Sequence, residues 1–147
     1  MSLTVRQLLN HKTSGVCAIR PDASVLEALE LMAREDISSV LIMEGDKLNG
    51  IFTERDYARK VILRGRNSRD TVVRELMTSE LITMSPEQTI DDCMAVMTEK
   101  HIRHLPVIED GKVVGLVSIG DVVKSIIAGH EETIQQLAGY ISGDLKT

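Results

Sequence analysis

Apolar positions along this chain fall into two kinds of pattern, and each pattern occurs twice. Val25, Ala28, Leu29 and Met32 recur at three- and four-residue spacing, which places them on one face of a helix. Ile90, Cys93, Met94 and Met97 repeat that stripe. Ser24 stands before the first stripe with Glu27 three residues on, and Thr89 and Asp92 do the same for the second. Such pairs are capping boxes, satisfying N–H groups that a helix start leaves without partners. Val40 to Met43 and Leu105 to Ile108 are instead continuous apolar runs, too short for helices and rich in β-branched residues, so strands are predicted there. The turns Glu44-Gly45-Asp46-Lys47 and Glu109-Asp110-Gly111-Lys112 send the next strands back antiparallel. Short strands are predicted at Val16 to Ile19 and Leu81 to Met84. Second helices follow Thr53 and Ser118, placing Tyr57, Val61 and Ile62, or Val122, Ile126 and Ile127, against the sheet.

The halves align at a constant offset of 65: Pro21 with Pro86, Ser24 with Thr89, Met32 with Met97, Ile37 with Ile102, Gly50 with Gly115, and Asp56 with Asp121. Before them, Val5-Arg6-Gln7-Leu8-Leu9 and Val73-Arg74-Glu75-Leu76-Met77 are matching helical turns. An internal repeat of this kind outranks any single motif. The fold class is therefore α/β, with two βαββα repeats at 5–65 and 73–128. One repeat has too small a core to stand alone, so the two are expected to pack with pseudo-two-fold symmetry. Arg64 to Asp70 reads as a solvated basic linker. The tail at 129–147 has no counterpart in the first half; Ile134, Leu137 and Ile141 share one face of a predicted helix there, suited to a partner or a second copy.

Composition narrows the function. With 147 residues and 43% apolar content a sizeable core is available, but three aromatic residues make it an aliphatic one. A net charge of −5 argues against a nucleic-acid groove. No apolar run is long enough to cross a membrane, and the start lacks the regions of a signal peptide. Cys17 and Cys93 are too few for a disulfide framework or a cysteine zinc site, so a reduced, cytoplasmic protein is expected. Both read as core cysteines.

The chemistry concentrates where each second helix begins. Gly50-Ile51-Phe52-Thr53-Glu54-Arg55-Asp56 and Gly115-Leu116-Val117-Ser118-Ile119-Gly120-Asp121 share the pattern Gly, two apolar residues, a hydroxyl, two variable positions and Asp. A helix N-terminus with a hydroxyl attracts phosphate or ribose oxygens, and an Asp in its first turn can accept from a ribose diol. The same residues also form capping boxes with Asp in place of Glu, and the two roles can coexist. Arg55, Arg103 and His104 are either surface charges or phosphate donors.

This order of elements, the doubled ending and the phrase His104-Leu105-Pro106-Val107 resemble a tandem pair of cystathionine β-synthase (CBS) domains over about residues 5–128. The small stand-alone bacterial members are the most similar. The resemblance implies a non-catalytic sensory module that binds AMP, ATP or NAD(H) in two clefts, dimerises and signals to a protein partner. The alternative is an interaction or oligomerisation protein whose clefts are vestigial. Carried onto this sequence, the resemblance implies one site at Thr83, Arg103, His104, Leu105, Pro106, Ser118, Ile119, Gly120 and Asp121, and another at Ser39, Thr53, Arg55 and Asp56. Ala18 stands where the second repeat has Thr83, so unequal sites are expected, with phosphate favouring the second. Protonated His104 is expected to aid that phosphate. His101 and His104 have no carboxylate or thiol motif beside them, so no metal is expected, and no nucleophile stands with a base at a recognisable spacing, so no enzyme is expected.

Overall fold

The structure, a computed structural model, describes residues 3–12 and 16–129. The predicted helical stripe at Ile134, Leu137 and Ile141 lies outside the described residues.

Helix α1 (Val5–His11) opens the chain behind a Thr4–Gln7 capping box. Strand β1 (Ala18–Ile19) leads to α2 (Val25–Glu35), β2 (Ser39–Glu44) and β3 (Lys47–Thr53). Helix α3 begins as Glu54–Asp56 and continues as a π-helical turn over Tyr57–Ile62. A 3₁₀ turn at Val73–Glu75 opens the second half. There follow α4 (Ile90–Lys100), β4 (His104–Glu109), β5 (Lys112–Ser118) and a helix over residues 119–129, here α5.

The repeat is visible in the details of the backbone. Helices α2 and α4 both start on the expected capping boxes and both end on a left-handed residue, Asp36 and His101. The β2–β3 ladder slips between Ile42 and Met43, and the β4–β5 ladder slips between Val107 and Ile108, the equivalent step. The hairpin turns carry the positive φ that tight antiparallel connections need, at Gly45 in one and at Asp110 and Gly111 in the other. In the first repeat β1 pairs parallel with β2 at its edge. The predicted Leu81–Met84 strand reduces to a single parallel bridge from Met84 to Val107, because Leu81 and Ile82 leave the sheet to line a cavity.

Each repeat has its own core, and each core contains the other repeat's opening segment. Val5 and Leu8 are buried with Ile90, Met97, Leu105, Val117 and Val122 of the second repeat. Val73 and Leu76 are buried with Val25, Val40, Phe52 and Val61 of the first. Backbone bonds tie down both exchanges: Val5 N–H donates to Gln88 at 2.7 Å, and Val73 N–H to Ala23 at 2.8 Å. Arg6 adds an ion pair to Glu87 at 2.7 Å and another to Glu109. Full burial of each aliphatic side chain is worth about 1.5–3 kcal/mol, so these segments are integral to the cores they enter. Helix α1 thus precedes the first repeat's strands in the chain but packs in the second repeat's core. The reach of α1 across the molecule is a long-range contact with no trace in local periodicity.

Helices α3 and α5 bury Val61 and Val122 as expected. Ile62 and Ile127 do not face the sheet: they are 55% and 49% exposed. In the first half, the π-helical turn carries Ile62 away from the sheet.

Candidate functional site

The two glycines of the repeated motif are fixed by the exchange. A Cβ on Gly50 would meet the Thr78 carbonyl oxygen and Met77 Sδ, both at 2.7 Å. A Cβ on Gly115 would meet Leu9 Cδ2 at 2.6 Å. Glycine lets each opening segment lie directly against β3 or β5, as close backbone approach requires. Thr78 and Ile51 exchange backbone bonds across this contact at 2.8 and 3.0 Å.

That approach delivers side chains to the motif aspartates. Asp56 is buried, and its Oδ2 accepts from the Thr53 N–H at 3.0 Å and the Thr53 hydroxyl at 3.1 Å. Its Oδ1 accepts from the Thr78 hydroxyl at 3.2 Å and pairs with Lys60 Nζ at 3.0 Å. In the second repeat, Asp121 Oδ2 accepts from the Ser118 N–H at 2.9 Å and from Lys12 Nζ at 2.8 Å. Lys12 also donates to the Leu116 carbonyl at 2.7 Å. Burial pushes the Asp121 carboxyl up, but the Lys12 ammonium and the Ser118 amide together hold it below the ordinary aspartate value. The capping role of both aspartates is thus present in the structure. Lys12, Lys60 and Thr78 were not anticipated. Lys60 stands four residues after Asp56 and was legible; Lys12 comes from 109 residues away and was not.

Two cavities open beside these aspartates. The larger, about 630 Å³, contains Thr53, Arg55 and Asp56 from the first repeat. Its opposite wall is Leu81, Ile82, Ile102, Arg103 and His104 from the second. Arg55 spans the gap, donating to the His101 carbonyl at 3.3 Å. The smaller, about 360 Å³, joins Asp121, Ser118 and Lys12 to Cys17, Ser38 and Ser39. Each cavity therefore pairs one repeat's helix start with the other repeat's strand start.

This crossing redistributes the sequence-derived sites. Arg103 lies with Asp56 and not with Asp121, while Ser39 lies with Asp121 and not with Asp56. Residues grouped by repeat fall on opposite sides of the pseudo-two-fold axis. Thr83, Leu105, Pro106, Ile119 and Gly120 line neither cavity. Thr83 is exposed beside the Asp56 cleft, whose lining includes its neighbour Ile82, and Leu105 and Pro106 are buried.

His104 belongs to both linings, as do Ser38 and Glu54. Its Nε2 lies 3.1 Å from the Ser38 hydroxyl, forming a shared partition. Burial, then the charge of Lys12, press the imidazole below its ordinary value despite Asp121. The imidazole therefore gives up its proton more readily here than a free histidine does. Burial, assisted by Asp92, pushes the Cys93 thiol up to about 11, which suits an inert core cysteine.

The comparisons agree with this architecture. A family model described as CBS domain matches residues 5–63 and 73–128. Over 127 residues the chain is 42% identical to the mitochondrial CBS domain-containing protein CBSX3 of Arabidopsis thaliana, covering 83% of this chain and 62% of that protein. The chain thus spans under two thirds of that relative's length. A solved structure of a putative signal-transduction protein with CBS domains from Burkholderia ambifaria aligns with TM-score 0.81 and 46% identity, covering 85% of this chain and 94% of that one. A hexameric CBS-CP12 protein from bloom-forming cyanobacteria aligns with TM-score 0.75 and 25% identity, covering 97% of this chain and 84% of that one.

Proposed function

The chain belongs to the CBS-domain family, whose CBS-only members are generally regulatory and non-catalytic, and on that premise we propose that it senses an adenine nucleotide such as AMP, ATP or NAD(H). The observation that carries this reading is the Asp56 cleft, where both repeats supply one wall each. Ile51, Leu81, Ile82 and Ile102 offer apolar surface to a flat purine. Thr53 and Asp56 suit a ribose diol, whose hydroxyls would exchange with Thr78 and Lys60. Arg55 and Arg103 suit a phosphate through their planar forks. Because the ligand would bridge the repeats, binding alters how they sit, and a protein partner reads that change.

The test is thermal unfolding with a panel of AMP, ATP, NAD and adenosine. A ligand that binds only the folded state raises its stability by about 2.7 kcal/mol at a hundred times its Kd. A second reading, an interaction protein with vestigial clefts, is favoured by Lys12, which already occupies Asp121 and the Leu116 carbonyl. An unmoved transition with every member of the panel would select it.

A homodimer is part of the proposal. Ile62 and Ile127 are equivalent positions, and both are exposed apolar residues on helices. Light scattering should give twice the chain mass, and a monomer mass at micromolar concentration would remove this part. Among the described residues no helix is long and apolar enough to cross a membrane. A cytoplasmic setting is proposed with the rest.

A further inference from the structure

We propose that the two clefts are divided by charge: the Asp56 cleft takes a nucleoside di- or triphosphate, and the Asp121 cleft takes an uncharged or cationic adenosine compound. The inference rests on the nucleotide-sensor reading and adds which phosphate state each cleft accepts.

The linings differ in sign. Among the described residues, five cations stand around Asp56, Arg55, Arg59, Lys60, Lys100 and Arg103, against three carboxylates, Glu54, Asp56 and Glu80. Lys60 is committed to Asp56 at 3.0 Å. The other four come from α3 on one side and from the end of α4 and the start of β4 on the other. They therefore flank the cavity from both repeats. Arg55 rests on a neutral carbonyl, that of His101, at 3.3 Å. Lys100 has only a 3.8 Å contact with its neighbour Glu99 among the described residues. A phosphate oxygen is a stronger acceptor than either arrangement provides, because both partners of the bond are then charged. Four cations on two walls exceed what one phosphate can engage. They match a chain of two or three.

Around Asp121 the balance reverses. Among the described residues Lys12 is the lone lysine or arginine, against Asp36, Glu54 and Asp121. Its ammonium is already bonded to Asp121 and to the Leu116 carbonyl. Asp36 and Glu54 have no ion pair among the described residues, and burial disfavours a positive charge on His104 beside them. Asp36 and Glu54 are exposed, so the repulsion a phosphate would meet here is screened by solvent, but no cation among the described residues is left free to offset it. The smaller volume, about 360 Å³ against about 630 Å³, points the same way. A nucleoside without phosphate, or one carrying a positive charge, avoids that penalty. The shared partition of Ser38 and His104 separates the two occupants.

The experiment is calorimetric titration of adenosine, AMP, ADP and ATP into the full chain in metal-free buffer, at low and at physiological salt. Affinity should rise with each phosphate, with ATP at least about tenfold tighter than AMP. One ATP should bind per chain, more weakly at higher salt, and adenosine should still bind after ATP has saturated. The pair Arg59→Gln and Lys100→Gln should remove the advantage of ATP while leaving adenosine within about twofold, since exposed charges contribute little to the fold. Equal affinities for AMP and ATP, or ATP filling both clefts, would overturn the charge division alone. No binding by any of the four would overturn the nucleotide reading itself. The wild-type series decides without relying on the variants.

Discussion

Leu9, in the first repeat's opening helix, lies so close over Gly115 of the second that a Cβ there would sit 2.6 Å from its Cδ2. A Cβ on Gly50 would likewise sit 2.7 Å from Met77 Sδ. The repeated glycine of the motif is thus the seat of an exchanged segment, and that exchange brings Lys12 and Thr78 to the two cavities. Lys12 and Thr78 reach the aspartates only because α1 and the segment after Val73 cross the molecule.

The two glycines should respond differently to alanine. At Gly50 the obstacle includes the Thr78 backbone oxygen, which cannot rotate away. Gly50→Ala should cost about 2–3 kcal/mol, toward the upper end of overpacking penalties. At Gly115 the obstacle is the end of a leucine side chain, and Gly115→Ala should cost about 1 kcal/mol. Urea unfolding of both variants measures this. Equal costs, or the reverse order, would contradict the close-approach account.

Truncating the exchanged helix should weaken the distant half. Leu8 is 5% exposed and packs into the second core. Leu8→Ala should destabilise by about 2–4 kcal/mol, the usual range for a buried leucine. Native-state hydrogen exchange should show protection lost first at β4 and β5. Loss confined to β2 and β3 would mean that α1 belongs to the first repeat.

Acid should expose the Lys12–Asp121 pair. The Asp121 carboxyl is held below its ordinary value in the folded state, so the unfolded chain binds that proton more readily. The stability it contributes is present above the ordinary aspartate value and is lost as pH falls through the folded one. Lys12→Met should reduce stability at neutral pH and flatten this acid limb. His104 has the same sign at higher pH: its folded value is lowered, so stability falls as pH drops through about 6.5. Denaturation midpoints from pH 3 to 8 test both, and an acid limb unchanged by Lys12→Met would discount the pair.

Both hairpins, the capping boxes of α2 and α4 and the buried stripe of Val25, Ala28 and Met32 were legible in the sequence because each is written within a dozen residues, and the repeat order because the two halves align at a constant offset. The Leu81–Met84 strand was overread, since an apolar run looks alike whether it joins a sheet or lines a cavity. Asp56 and Asp121 were visible as a motif, and their capping geometry follows from the three-residue spacing. What local pattern cannot carry is the partner across the axis. Arg103 with Asp56 and Ser39 with Asp121 follow from packing across the pseudo-two-fold axis, and Lys12, at 109 residues from its carboxylate, from the exchange. Isoleucine at 62 and 127 fits a buried helical stripe on paper, and only the observed helix shows both exposed.

The central claim is that the Asp56 cleft holds an adenine nucleotide between the repeats. Its most direct test is an amide NMR titration of the unmodified protein with AMP. The account predicts saturable shifts at Thr53, Arg55 and Asp56 together with Thr78, Ile82 and Arg103, residues of both repeats that meet only at this cleft. Absent shifts, or shifts confined to the helical face around Ile62 and Ile127, would contradict it.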